Sequence, residues 1–243
     1  MEHEDSQSTV RHTKVVRRMN IVEKIDDYVR IRRVLVSVSD KSGLDILIPG
    51  LVDINPDVRL YATGGTFKTI NEILGPEVSA RHLVTVADYT GQPETQGGLV
   101  KTLDFKIYLG LLTETYNDAH KTDLDRTGAA PLDLVVCNLY PFEAVVAREG
   151  ATVEAARANI DIGGPCMIRA AAKNYLRVAA LVDPQDYPSF LASLRADDGS
   201  LDLANRFELA QKAFAHTAAY DRAIAAHLAE QDVRAVGLTY ERR

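Results

Sequence analysis

Val34-Leu35-Val36-Ser37-Val38, then Ser39-Asp40-Lys41-Ser42-Gly43, then a helical pattern from Leu44, is the stretch on which the fold turns. A short run rich in β-branched residues reads as a strand buried on both faces. The polar segment after it supplies loop and N-cap chemistry for the helix that follows. The same grammar recurs downstream. Val58 to Ala62 reads as a strand that runs into Thr63-Gly64-Gly65-Thr66, with a helix expected from about Phe67 to Leu74. Two strand, turn and helix units in succession predict an α/β fold with parallel strands joined by right-handed crossovers.

Outward from that core the pattern continues less regularly. Further strands are expected at Ile107 to Leu112, Leu132 to Leu139 and Val178 to Val182. Helices are expected within Glu114 to Pro131, from Thr152, from Pro165 through Lys173, over Asp186 to Leu194 and over Arg206 to Leu228. Pro49-Gly50 should kink or stop the first helix. Met1 to Thr13 is polar and expected to be disordered, whereas Val15, Met19, Val22 and Ile25 share a weak helical face. The organisation predicted is an N-terminal extension over 1–30, an α/β body over 31–200 and a C-terminal helical segment over 201–243 that packs on the body or on a partner.

The chain of 243 residues has a net charge of −6, which argues against nucleic acid or an anionic membrane as the main partner. Cys137 and Cys166 are the two cysteines, too few for a disulfide framework, so a reducing cytoplasm is the default compartment. No histidine pairs with a cysteine at metal-ligand spacing, so no structural zinc is expected. No apolar run approaches the roughly 20 residues that cross a bilayer, and the polar N-terminus does not read as a signal peptide.

In an open parallel sheet, ligands bind beyond the carboxyl ends of the strands. Ser39 to Gly43 and Thr63 to Thr66 both fall there, and both open a helix whose free amides suit a phosphate. Each alone is equally a plain turn; together they point to an anionic ligand, with Lys41 adding charge and Gly64-Gly65 allowing close approach. Other polar groups at strand ends are Lys101-Thr102, Cys137-Asn138-Leu139-Tyr140 and Asp161-Ile162, the last ahead of a helix that carries Lys173. Taken singly, Lys101 reads as a solvated lysine, Tyr140 as a tyrosine at the core edge, and Ala170-Ala171-Ala172-Lys173 as close helix packing.

Taken together, these segments resemble a known family. Ser37 to Leu44, Ala62 to Thr66, Cys137 to Phe142, Asn159 to Gly164 and Ile168 to Asn174 are similar, in order, to the IMP cyclohydrolase domain of the enzymes that couple AICAR formyltransferase to IMP cyclohydrolase. The likeness runs from about Arg33 to Asp221; Ala213 to Asp221 resembles the segment leading into the formyltransferase half, which is expected to be absent here. The resemblance implies a three-layer α/β/α sandwich with a mainly parallel sheet, the methylglyoxal-synthase-like fold. It implies closure of FAICAR (5-formamidoimidazole-4-carboxamide ribonucleotide) to IMP with loss of water, with no metal or organic cofactor.

By the same resemblance, Ser39, Asp40, Lys41, Thr63, Gly64, Gly65 and Thr66 would hold phosphate and ribose. Lys101, Thr102, Cys137, Asn138, Asp161 and Ile162 would surround the base. Lys173 would move protons, while Lys101, Tyr140 and Asp161 polarise the reacting groups. The chain departs from the family at Leu99, where an arginine is usual, at Asp104-Phe105, where His-Pro is usual, and at Tyr108, which replaces a histidine. If Pro165 to Lys173 is one helix, its length of about 12 Å separates Lys173 from Asp161 unless the lysine serves another chain. A homodimer is expected, because the family associates through this domain and Leu209, Phe214, Ala218, Ile224 and Leu228 put apolar side chains on the last helix. The alternatives are a non-catalytic nucleotide-binding module or partner subunit of a separate AICAR formyltransferase, and, on fold alone, a methylglyoxal synthase.

Overall fold

The computed structural model describes residues 21–92 and 101–241. The strands are β1 (Val29–Arg30), β2 (Arg33–Val38), β3 (Arg59–Ala62), β4 (Leu83–Thr85), β5 (Leu134–Asn138), β6 (Ala179–Leu181) and β7 (Ser200–Leu201). The helices are α1 (Leu44–Ile54), α2 (Gly64–His82), α3 (Val86–Thr90), α4 (Phe105–Leu112), α5 (Asp118–Thr127), α6 (Phe142–Val146), α7 (Val153–Ala158), α8 (Gly163–Lys173), α9 (Tyr187–Ala196), α10 (Leu203–Ala229) and α11 (Val233–Leu238).

A five-stranded sheet of order β4-β3-β2-β5-β6 is parallel throughout. Alternate residues of each strand feed opposite faces, as a pleated strand requires. Val34, Val36, Leu60, Leu134 and Leu181 join α1 and α9 in one apolar cluster. Leu35, Tyr61, Val135, Cys137 and Ala180 join α4, α8 and α10 in a second. The result is an α/β/α sandwich. From β2 the chain adds β3 and β4 on one side and later β5 and β6 on the other, so the strand order reverses between β2 and β5. That reversal is where an open parallel sheet forms a crevice at its carboxyl edge.

Several sequence expectations are corrected. Ile107–Leu112 is helical: Asp104 caps α4 by accepting from the Lys106 amide at 2.8 Å, and Ile107, Gly110 and Leu111 form its buried face. A short apolar run does not separate strand from helix, and here the cap decides. Pro49 does not stop α1, and Gly50 lets Leu191 approach so closely that a Cβ would lie 2.7 Å from its Cδ1. The helix expected to end near Leu74 does leave helical geometry at Gly75 (φ 73°, ψ 164°), and a second helical stretch opens at Pro76 and runs on to His82 within α2. Residues 1–20 lie outside the described residues. The remainder of the anticipated N-terminal helix is not helical; Val29–Arg30 pairs instead with Ser200–Leu201. Arg206, fully buried on α10, fixes this arrangement by donating to the Asp26 and Asp27 carbonyls at 2.9 Å each.

Candidate functional site

A cleft of about 450 Å³ opens at the carboxyl ends of β2, β3 and β5. Three polar turns wall it, each held by contacts made elsewhere in the fold.

The first follows β2. Asn138, at the end of β5, accepts the amides of Ser39 and Asp40 at 2.6 and 2.8 Å and returns a bond to the Asp40 carbonyl at 2.9 Å. Asn138 thus sets the course of the Ser39–Asp40 turn. The Asp40 carboxylate is occupied by the hydroxyl and amide of Ser42, at 2.6 and 2.9 Å, and these bonds hold it below the usual carboxylate range. Lys41 lines the cleft and donates to the Val38 and Ser39 carbonyls; burial pushes its ammonium down, with Asp40 opposing.

The second turn opens α2. Its first helical bond runs from the Phe67 amide to the Thr63 carbonyl, so the amides of Gly64, Gly65 and Thr66 have no acceptor within the helix. All of Thr63 to Thr66 line the cleft. The Thr66 hydroxyl is already engaged with both the amide and the carbonyl of Val38, so what Thr66 presents is its backbone. Gly64 (φ 24°) admits Lys101, whose Nζ would lie 3.2 Å from a Cβ there, whereas a Cβ on Gly65 would meet nothing within 4 Å.

The third turn opens α8. Asp161 Oδ1 accepts from the Gly164 amide at 2.9 Å, and Asp161 faces the Tyr140 amide as well. Burial nonetheless raises its carboxyl above the usual value. Tyr220, on α10, accepts from the Asp161 amide at 2.8 Å and donates to the Asn159 carbonyl at 3.1 Å. Gly163 and Gly164 permit close packing, since a Cβ would fall 2.5 Å from Thr102 Oγ1 and 2.6 Å from Asp161 Oδ2 respectively.

The cleft therefore gathers Ser39, Lys41, Thr63, Gly64, Gly65 and Thr66 from the first two turns. It gathers Lys101, Thr102, Asn138, Tyr140, Asp161 and Ile162 from the rest of the residues named from sequence. Three side chains it does not gather. Asp40 faces solvent beside Ser42. Cys137 lies beneath the floor, its Sγ 3.9 Å from the Gly164 carbonyl, where burial pushes the thiol up. Lys173 is exposed at the far end of α8, whose ten residues beyond Gly163 span about 15 Å. Among the departures, Leu99 lies outside the described residues. Asp104 caps α4 and Phe105 is exposed. The Tyr108 hydroxyl is buried beside Cys166, and burial raises it.

Sequence reasoning missed Met167, Leu103 and Ile160 in the wall. Leu103 and Ile160 adjoin named residues, but Met167 enters only because one turn of α8 brings it under Gly164. A small lobe of about 20 Å³ shares Thr63, Gly64 and Lys101 with the cleft and adds Thr85, Val86, Ala87 and Gln92. The side-chain Oε1 of Gln92 is buried there without a partner among the described residues. Among the described residues no group of acids, cysteines or histidines could hold a metal ion, and no helix is long and apolar enough to cross a membrane.

A family model for MGS-like domains matches residues 47–166, and one for the AICARFT/IMPCHase bienzyme matches residues 171–242. The bifunctional purine biosynthesis protein PurH of Magnetococcus marinus is 46% identical over 203 residues, 84% of this chain and 37% of that protein. The PurH of Sorangium cellulosum is 47% identical over 198 residues, 82% of this chain and 36% of its own. The chain thus spans little more than a third of the curated relatives it matches. The crystal structure of ForH superposes with a TM-score of 0.67 at 31% identity, covering 80% of this chain and 97% of that one.

Proposed function

The chain belongs to the AICARFT/IMPCHase family and carries its MGS-like domain, and from that premise we propose that it acts in purine biosynthesis as an IMP cyclohydrolase, closing FAICAR to IMP and water. One observation carries the reading: the free amides of the α2 N-terminus converge on one cleft with Lys41, Lys101, Tyr140 and Asp161. The amides and Lys41 suit the phosphate of a ribonucleotide. The other three suit a formyl and a carboxamide group held face to face.

The reaction is intramolecular, so the protein's task is to hold one reactive rotamer and to move protons. The carboxamide nitrogen attacks the formyl carbon, a C–N bond forms, and the formyl oxygen takes a proton as the nitrogen loses one. That hydroxyl then leaves as water with the proton of the former formamido nitrogen, and the C=N bond of the new ring forms between that nitrogen and the former formyl carbon. Asp161 accepts from the carboxamide NH2 and aims it, and its raised carboxyl can take the proton released. Lys101 and Tyr140 donate to the formyl oxygen as charge builds there. Lys173 is the proton donor and acceptor. It stands away from the cleft of its own chain, so a second copy supplies it in a homodimer whose interface includes α10.

The position of Lys173 also favours a second reading, a nucleotide-binding module that docks on a separate AICAR formyltransferase. Incubating the full chain with FAICAR while measuring IMP affinity separates the two. IMP formation above the uncatalysed rate supports the cyclohydrolase; tight IMP binding without turnover rejects it in favour of the module.

A further inference from the structure

A second cleft, of about 420 Å³, opens at the opposite end of the sheet, where β2 and β5 begin. Its floor is a buried ion pair in which Arg177 Nη1 donates to Asp133 Oδ1 at 3.3 Å. Asp133 also accepts the amides of Arg32 and Arg33, at 3.0 and 2.9 Å. Arg177 donates further to the carbonyls of Thr113, Leu132 and Gly110. The floor is electrically closed on itself.

The walls are not. Arg32, Arg33 and Lys121 line the cleft, and none of them has an ion-pair partner among the described residues. Asp26, Glu114 and Asp133 line the same cleft, so three carboxylates stand against five cations; Asp26 accepts from the Tyr116 hydroxyl at 2.6 Å, and Glu114 from Asn117 at 3.1 Å. Arg30 is paired with the exposed Asp198 at 3.0 Å. An adjoining hollow shares Arg30, Arg32 and Arg33 and adds Arg59, so the basic row continues around the edge. In a chain of net charge −6 this is a local excess of positive charge. An independent feature lies in the same wall. Thr113 is 3% exposed, and its hydroxyl has no hydrogen-bond partner. A buried hydroxyl left so is costly and rare.

We propose that this cleft binds a phosphorylated small molecule, its phosphate oxygens accepting from Arg32, Arg33 and Lys121 and from the Thr113 hydroxyl. Phosphate fits better than a single carboxylate, because several separate cations converge and guanidinium forks match its geometry. The site stands apart from the cyclohydrolase cleft and does not depend on that activity.

The test is a nuclear magnetic resonance titration of the full chain with inorganic pyrophosphate at low ionic strength. Amide signals report each end of the sheet separately, so binding in the other cleft does not interfere. The expected result is saturable movement of the Arg32, Arg33, Thr113 and Lys121 amides. The double variant Arg32→Ser/Lys121→Ser, at exposed positions, should weaken it by about a hundredfold. Thr113→Val should weaken it about fivefold while leaving the melting temperature at or above that of the native chain. No saturable movement at this end, or affinity in the double variant equal to that of the native chain, overturns the proposal. Unchanged affinity in Thr113→Val removes the hydroxyl from the site.

Discussion

The two ends of the central sheet face the same problem with opposite signs. At the carboxyl edge, helix α2 begins, and the amides of Gly64, Gly65 and Thr66 have no acceptor within the helix. At the amino edge the chain leaves carbonyls to be met. There Arg177 takes those of Gly110, Thr113 and Leu132, and Arg206 takes those of Asp26, Asp27, Tyr175, Leu176 and Leu201. Backbone acceptors are thus satisfied from within by two buried cations, whereas backbone donors are left for an anion from outside.

Breaking each end should therefore do different damage. The largest effect expected is catalytic: Asp161→Asn or Lys173→Ala should lower FAICAR turnover by about 10²–10⁴-fold, with the IMP dissociation constant, measured by calorimetry, within about tenfold of native. Next is stability. Arg206→Met takes a buried donor away from five carbonyls and should cost about 3 kcal/mol in chemical denaturation. The matching change at the open end, Lys101→Met, should cost less than about 0.5 kcal/mol, because Lys101 is exposed. Equal losses at the two ends would erase the contrast.

A third variant sharpens it. Tyr220→Phe keeps the ring against Phe142, whose centroid is 6.3 Å away, and removes only the hydroxyl that fixes the Asn159–Asp161 backbone. Turnover should fall about tenfold with KM little changed, since aim rather than binding is lost. A proportional rise in KM would place Tyr220 in substrate binding instead.

The smallest effect concerns pH. Lys212, on α10, bonds Asp183 and Asp186 at 2.9 and 2.7 Å, and its hydrogen bond holds the Asp183 carboxyl below the usual range. A depressed carboxyl stabilises the fold above its unfolded pKa, and that stability is lost as pH falls through the folded value. Lys212→Met should therefore remove about 0.5–1 kcal/mol at neutral pH, and the difference from native should shrink as pH falls below about 4. A gap that persists at acid pH would point to packing.

The elements that frame the open end were legible because their signals are local. Val34–Val38 is β-branched, and Thr63–Thr66 pairs a strand end with two glycines. What was not legible depends on partners distant in sequence. Ile107–Leu112 reads as strand or helix until Asp104 caps it. Cys137 and Asn138 are neighbours, yet pleating sends one thiol under α8 while the other side chain turns to the Ser39–Asp40 amides. Arg177 and Arg206 carry no motif, since their acceptors are carbonyls that any residue supplies. Tyr220 escaped notice because it reaches Asp161 across 59 residues of chain.

The central claim is that the open end is an active site whose proton donor comes from a second copy. Mixing a Lys173→Ala chain with an Asp161→Ala chain, each inactive alone, tests it directly. In a freely exchanging dimer half the pairs are mixed, and each mixed pair holds one intact site, so FAICAR turnover should return to about a quarter of the native value. No recovery in proven heterodimers would confine both residues to one chain and contradict the account.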